Sequence, residues 1–237
     1  MSAMAGKSVL LIVGGGIAAF KALELVRLLR KAGVGVTPVL TAGGAEFVTP
    51  LSLSVLAGAQ TRTDLFSQDE EGAIDHIALS RAADLVVAAP ATANLIARAA
   101  GGHSDDLATT VLLATDKPVL MAPAMNVRMW THAAVRRNVA QLAADGVSFV
   151  GPDEGEMACG EYGPGRMAEP QAIFEAITHL LSSRPSASES RDPAAAAPGS
   201  ARLTPLVRDD KLGSLAGRHI LVTAGPTHEP LDPVRYI

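Results

Sequence analysis

Cys159 is the only cysteine of the chain, and it lies in the thirteen-residue run Ala158-Cys159-Gly160-Glu161-Tyr162-Gly163-Pro164-Gly165-Arg166-Met167-Ala168-Glu169-Pro170. That run places a thiol, two carboxylates and a guanidinium among three glycines and two prolines. Such a set can move a proton and pair with an anion. The glycines and prolines argue against a long regular element, so the stretch is expected to be an ordered but mobile loop. Long loops inside compact domains are usually functional. A single cysteine cannot form an internal disulfide, and the plain alternative is a free cytosolic thiol.

Five further groups of residues could do chemistry. Gly14-Gly15-Gly16-Ile17-Ala18-Ala19 fits the G-x-G-x-x-A form of a dinucleotide turn, where backbone amides approach a phosphate at a positive helix end. Alone this is also an ordinary tight strand-to-helix turn. A nicotinamide site wants an acidic residue at the end of the second strand, but Thr41 stands there, followed by Ala42, Gly43 and Gly44. A hydroxyl beside glycines suits a phosphate better than a ribose, which favours a mononucleotide. Thr92 and Asn94, in Ala89-Pro90-Ala91-Thr92-Ala93-Asn94, could cap a helix or face a ligand; capping is the stronger reading. His76 has the natural pKa for a base at neutral pH, although a histidine at a helix entry is most often structural. Asn126, in Ala122-Pro123-Ala124-Met125-Asn126-Val127-Arg128-Met129-Trp130, could give two amide hydrogens to a carboxylate; otherwise the stretch is a proline-ordered loop with a packed tryptophan. The histidines show no metal-ligand spacing, no G-x-S-x-G elbow occurs, and Gly6-Lys7-Ser8 lacks the upstream glycine of a P-loop.

These residues need a scaffold, and the pattern supplies one. Lys7–Val13 is a short continuous apolar run ended by glycine, as in a buried strand. Residues 17–32 form a helix, with Lys21, Glu24, Arg27 and Lys31 as one wet stripe and Leu25, Leu28 and Leu29 on the buried side. Strands follow at Val34–Leu40, Asp84–Ala89, Pro118–Ala122 and Val147–Val150. Helices lie between them, from the Ala89 loop to Ala100, at Leu107–Ala114 and at Ala133–Ala144, and a last one runs from Pro170 to Leu181. Alternation of this kind predicts a three-layer α/β fold of the Rossmann-like (flavodoxin-like) kind, a parallel sheet with helices on both faces. Ligands then sit at the carboxyl ends of the strands, where every unusual loop here falls.

The 237 residues are 48% hydrophobic, 19% charged and 3% aromatic, with a net charge of −4, so no basic field invites nucleic acid. The apolar run Val9–Phe20 is interrupted by three glycines and is too short for a membrane span, which points to the cytoplasm and to no membrane role. After Leu181 the composition shifts to Ser, Ala, Pro and Arg. Residues 182–214 are expected to be a flexible linker after a first domain at 1–181. A new strand, His219–Thr223, then opens a further domain over 215–237.

Three stretches together resemble one family, the homo-oligomeric flavin-containing cysteine decarboxylases. They are Asp75-His76, Pro123-Ala124-Met125-Asn126 with Met129 and Trp130, and Ala158-Cys159-Gly160-Glu161 through Arg166-Met167. The likeness is to the decarboxylase half of the bifunctional coenzyme A biosynthesis proteins, which join a phosphopantothenoylcysteine decarboxylase to a phosphopantothenate–cysteine ligase. It covers residues 5–181 and resumes at Leu215, where Val222-Thr223-Ala224-Gly225-Pro226-Thr227 looks like the opening of the ligase half. The CTP and Mg2+ of that half belong to segments beyond these, and ligase activity is not expected of this chain.

The resemblance implies FMN and decarboxylation of 4'-phosphopantothenoylcysteine to 4'-phosphopantetheine. The thiol is oxidised to a thioaldehyde, carbon dioxide leaves, and the enethiolate is reduced. It implies that Gly15, Gly16, Ile17 and Ala124 lie against the flavin or its phosphate, that Thr41 binds phosphate, and that Thr92 and Asn94 hold the cofactor. Some relatives carry serine where this chain has Gly16. His76 is implied as a base, Asn126 as the carboxylate holder and Cys159 as a proton donor, with Arg166 and Met167 binding substrate. Arg166 could equally form an ion pair with Glu161 or Glu169. The resemblance further implies a homo-oligomer, trimer-based and extending to a dodecamer, acting on a small molecule. Three rival readings are an NAD-dependent Rossmann oxidoreductase, which the missing acid at Thr41 disfavours, a non-enzymatic regulatory flavoprotein, and a flavin-prenylating relative.

Overall fold

Five apolar runs become one parallel sheet in the order β2-β1-β3-β4-β5. A computed structural model of the chain describes residues 4–65, 75–157 and 160–182. The strands are β1 (Ser8–Val13), β2 (Gly35–Leu40), β3 (Leu85–Ala91), β4 (Val119–Pro123) and the short β5 (Ser148–Phe149). Register is set by pairs such as Leu11 with Pro38 on one side of β1 and Leu11 with Val87 on the other. Helices cover both faces of β1, and its sequence is apolar without alternation.

Side chains on successive strand residues point to opposite faces, and this divides the core in two. Val9, Leu11 and Val13 pack with Leu25 and Leu29 of α1 (Phe20–Lys31), Leu53 of α3 (Pro50–Ala57) and Ile173 and Ile177 of α9 (Pro170–Ser182). Leu10 and Ile12 pack on the other face with Leu95 and Ile96 of α5 (Ala93–Ala100), Leu107 and Val111 of α6 (Leu107–Ala114) and Leu142 of α8 (Ala133–Ala144). Each fully buried Leu or Ile contributes roughly 1.5–3 kcal/mol. The expected α/β fold is therefore the observed one.

The structure differs from the sequence expectation in several elements. β3 extends past Ala89 to Ala91, with its register against β4 shifting between Ala88 and Ala91. Pro90 lies in that interval and has no amide hydrogen to give to a ladder. Two short helices, α2 (Ala42–Ala45) and α7 (Val127–Thr131), and the longer α3 were not expected as elements, and α4 (Asp75–Ala82) is a helix with His76 at its entry. The Cys159 stretch was expected to be an ordered but mobile loop without a long regular element, yet its middle is a strand. β7 (Tyr162–Arg166) pairs antiparallel with β6 (Asp153–Glu156). The glycines enable that strand. Gly163 and Gly165 have φ of 149° and 145°, and a Cβ at either would collide with Val127 or with the Met125 carbonyl. A strand of ordinary residues could not lie this close to the loop that follows β4. On α1 one residue departs from the predicted wet stripe: the Lys21 side chain is only 12% exposed.

Cys159, the 182–214 linker beyond Ser182 and the 215–237 segment lie outside the described residues. No described helix is long and apolar enough to cross a membrane.

Candidate active site

The chain leaves β1 for β2 on one side, and β3 lies on the other, so the sheet has its switch point at the carboxyl end of β1. Gly14–Gly16 turn the chain there. The Gly14 amide donates to the Pro90 carbonyl at 3.2 Å, tying the turn to the end of β3. A single 3-10 turn, Ile17–Ala19, leads straight into the twelve-residue α1. The leading amides of such a helical run carry partial positive charge.

A cleft of about 500 Å³ opens at this point. Its walls are Gly15–Ala18, Phe20 and Lys21 from the turn and α1, Ala124–Asn126 after β4, Glu156 and Met157 at the end of β6, and Gly165–Met167 at the end of β7. Seven residues predicted from sequence meet in it: Gly15, Gly16, Ile17, Ala124, Asn126, Arg166 and Met167. A second hollow of about 290 Å³ lies at the other end of β4, beside Lys117 and Pro118, and contains none of them.

Thr41, Thr92 and Asn94 follow β2 and β3 on the same edge but do not line the cleft. Thr41 Oγ1 accepts from the Gly44 amide at 3.0 Å and donates to the Val13 carbonyl at 3.0 Å. Its one proton is thus already used. Thr92 Oγ1 accepts from the Leu95 amide at 3.1 Å and caps α5, as its alternative reading had it. Asn94 is exposed in the first turn of that helix.

His76 is half-buried in the first turn of α4. The far end of α4 reaches the start of β1, where Ser8 Oγ donates to the Ala82 carbonyl at 2.7 Å. The His76 end therefore lies toward the carboxyl edge of the sheet. Leu79 of α4 packs into the core opposite α1, so His76 is on the other face from the α1 cleft.

Asn126 is fixed from three directions. The Met125 amide beside it donates to the Gly165 carbonyl at 3.0 Å, and the Ala124 amide to the Ala91 carbonyl at 3.1 Å. Asn126 Oδ1 accepts from the Arg128 amide at 2.7 Å, capping α7. Its Nδ2 then has a set direction, and it donates to the Glu161 carboxylate. Arg128 Nε lies 3.5 Å from the other oxygen of Glu161. The side chain predicted to bind a carboxylate thus holds one in the fold itself.

Arg166 pairs with Glu169, one of the two partners its sequence allowed. Glu169 also receives Lys21 Nζ at 3.0 Å, and Lys21 reaches the Met167 carbonyl at 3.1 Å. The hydrogen bond from Lys21, and after it that from Arg166, hold the Glu169 carboxyl below the ordinary carboxylate value, against an opposing desolvation effect. Lys21, Phe20, Met125, Glu156 and Met157 also line the cleft and were not predicted there. Cys159 itself is not described, but the chain on both sides is tied together: the Met157 amide donates to the Glu161 carbonyl at 2.9 Å and the Gly160 amide to the Met157 carbonyl at 2.9 Å.

The cleft fits a flavin. It has the size of small-molecule sites, and its walls are mostly apolar, with Ile17, Phe20, Met125, Met157 and Met167. Backbone amides at a helix start stand at one end, where a phosphate group belongs.

Comparison with known proteins agrees with this fit. A family model described as Flavoprotein matches residues 2–182, and one described as DNA/pantothenate metabolism flavoprotein C-terminal domain matches residues 215–237. The Coenzyme A biosynthesis bifunctional protein CoaBC of Escherichia coli is 42% identical over 235 residues, covering 99% of this chain and 51% of that protein. The chain spans about half the length of the curated relatives it matches. Among solved structures, a cysteine-to-serine mutant of a PPC decarboxylase complexed with pantothenoylaminoethenethiol superposes with a TM-score of 0.66 at 32% identity, over 73% of this chain and 97% of that one. The FMN-dependent cysteine decarboxylase SpaF superposes with a TM-score of 0.68 at 34% identity, over 77% and 100%.

Proposed function

The chain belongs to the flavoprotein family, and from that premise we propose that it is an FMN-dependent decarboxylase of 4'-phosphopantothenoylcysteine, yielding 4'-phosphopantetheine for coenzyme A biosynthesis. The observation that carries this reading is Asn126. Its amide, aimed by its own cap on α7, presents to a carboxylate at the mouth of an apolar, flavin-sized cleft.

Gly15, Gly16, Ile17 and Ala124 would hold the cofactor, with Thr41, Thr92 and Asn94 on the rim beyond. Bound FMN supplies a two-electron acceptor and donor, so the cysteinyl thiol can be oxidised before carbon dioxide leaves and the product reduced afterwards. Carbon dioxide departs leaving an electron pair on carbon, and a neighbouring C=S accepts it. The residues of the chain position and protonate. Asn126 orients the substrate carboxylate by two amide hydrogens. Arg166 supplies positive charge beside it, and Met167, 2% exposed, helps exclude water below. His76, on the opposite face from this chain's own cleft, would take a substrate proton in the oxidative half at the cleft of a neighbouring subunit of the oligomer. Cys159 returns a proton to carbon at the end; an unperturbed thiol, with a pKa of about 8.5, is mostly protonated at neutral pH and suits that task.

The working unit is proposed to be a trimer-based homo-oligomer in the cytoplasm. Its support is apolar surface: Leu51 and Val55, one turn apart on α3, are 72% and 71% exposed, and Phe47 lies just before them. Along the chain, a decarboxylase domain at 1–181 would be followed by a linker at 182–214 and the opening of a ligase domain at 215–237.

The test is the purified, yellow protein with phosphopantothenoylcysteine. Mass spectrometry should find product lighter by carbon dioxide, and Asn126→Asp should keep the flavin spectrum while losing turnover. A flavin-bearing wild-type protein that leaves the substrate intact rejects the assignment.

A further inference from the structure

Lys21 belongs to α1, yet both of its hydrogen-bond partners belong to the segment that joins β7 to α9: the Met167 carbonyl and the Glu169 carboxylate. Arg166 reaches the same Glu169 oxygen, Oε1, from the other side. Two cations thus converge on one carboxylate oxygen, and the trio carries a net positive charge at the cleft wall. Lys21 and Arg166 both line that wall.

An isolated pair between Arg166 and Glu169 would fix little. Both side chains are nearly half exposed, and surface pairs of this kind contribute little. Lys21 changes the situation because it is 12% exposed, and its ammonium is held by a backbone carbonyl as well as a carboxylate. Glu169 is therefore anchored before it meets Arg166. From beneath, Gly155 gives Arg166 a flat seat; a Cβ there would stand 3.1 Å from Nη1 and 3.2 Å from Cδ. A guanidinium has five N–H donors, so Arg166 can keep Glu169 on one edge and offer the other to an anion.

We propose that Lys21 is a positioning residue which, through Glu169 and the Met167 carbonyl, fixes the Arg166 guanidinium at the cleft mouth for the anionic substrate. This rests on the decarboxylase reading of the site for the identity of that substrate. The bracket itself rests only on the geometry.

The experiment uses the full chain loaded with FMN, with kinetics normalised to bound flavin. Lys21→Met should raise KM for phosphopantothenoylcysteine about tenfold and change kcat less than about twofold, because a binding contact serves substrate and transition state alike. Lys21→Arg should recover most of that loss. Glu169→Gln should raise KM similarly, and the double variant should be no worse than the poorer single one, as for links in one chain. Amide hydrogen exchange across residues 164–168 should quicken in Lys21→Met. An unchanged KM in Lys21→Met, a fall confined to kcat, or additive losses in the double variant would overturn the proposal. If the wild-type protein decarboxylates nothing, the substrate reading fails on its own. The exchange measurement then still decides the bracket, and equal exchange across 164–168 in wild type and Lys21→Met removes it.

Discussion

Gly165→Ala should damage both stability and turnover, because Gly165 is the point where the Cys159 hairpin touches the Asn126 loop. A Cβ built there lies 2.3 Å from the Met125 carbonyl oxygen and 3.0 Å from Met157 Cε. The Met157 methyl can swing away. The carbonyl cannot, because the residue it is bonded to, Asn126, is held by its cap on the Arg128 amide. Ordinary contact needs about 3.5 Å, so hairpin and loop must separate by roughly 1 Å. The backbone adds strain, since φ at Gly165 is 145° and side chains there cost roughly 1–3 kcal/mol. Separation also weakens the 3.0 Å bond from the Met125 amide to the Gly165 carbonyl, worth about 1 kcal/mol. The expected loss is roughly 2–4 kcal/mol in urea unfolding, taking these terms together. A misplacement of this size near a reacting group can cost about 100-fold in kcat/KM. Gly146→Ala is the control: its φ is 94°, nothing lies within 4 Å of its Cβ, and it is remote from the cleft, so it reports the conformational cost alone. If Gly165→Ala is no less stable than Gly146→Ala and keeps kcat/KM within about threefold of wild type, the proposed contact does not support the site.

Other residues give separate tests. Cys159→Ser should decarboxylate and then accumulate the oxidised enethiol; full turnover to phosphopantetheine, followed by mass spectrometry, would remove Cys159 as proton donor. Thr41→Ala should lower stability by about 1 kcal/mol through loss of the α2 cap. With its proton committed to Val13, flavin affinity by fluorescence titration should fall less than about threefold, and a larger fall would mean that the hydroxyl turns to the phosphate. The Glu169 carboxyl, held low by Lys21 and then Arg166, contributes stability that is complete above the unfolded value of about 4.3 and is lost as pH falls through the lower folded value. Acid unfolding of Glu169→Gln should lack that step, and an unaltered profile would contradict it. Glu161→Gln takes away the carboxylate now held by Asn126 and Arg128, so KM for a carboxylate substrate should fall; a rise would show that Glu161 helps binding.

How much of this was legible depended on whether a residue's role was local. The strands of the sheet could be read because each is a short apolar run closed by a turn, and β1, buried on both faces, has no polar side to confuse the pattern. Helix α3 was missed although its ends were written in Thr49-Pro50 and Gly58, an N-cap, a first-turn proline and a left-handed C-cap. Its body, Leu51–Ala57, has no continuous polar stripe, so periodicity gave no helix. The hairpin was missed for the opposite reason: glycine and proline signal a break only when the neighbours are unknown. Gly163 and Gly165 are dictated by Val127 and Met125, nearly forty residues away in sequence. Lys21 was placed in solvent because a helical stripe counts spacing, whereas the Met167 carbonyl and Glu169 reach it from α9's side of the molecule.

The same long-range logic joins the two glutamates of the hairpin segment to different tasks. Glu161 satisfies Asn126, and Glu169 satisfies Arg166, so both candidate substrate-binding groups are held in the fold by carboxylates from one ten-residue stretch that begins beside Cys159. The two are not equivalent. Glu169 has Lys21 as a second, sheltered cation, while the Arg128 beside Glu161 is exposed. Under the proposed function, a substrate carboxylate arriving at Asn126 would exchange with the Glu161 carboxylate, and the Lys21 and Arg166 contacts of Glu169 lie apart from that exchange. Arg166 would then keep its orientation, because its bond to Glu169 is not part of the exchange. On the proposed reading, carboxylate binding at Asn126 would displace Glu161, whereas Lys21 and Glu169 hold the other end of the segment.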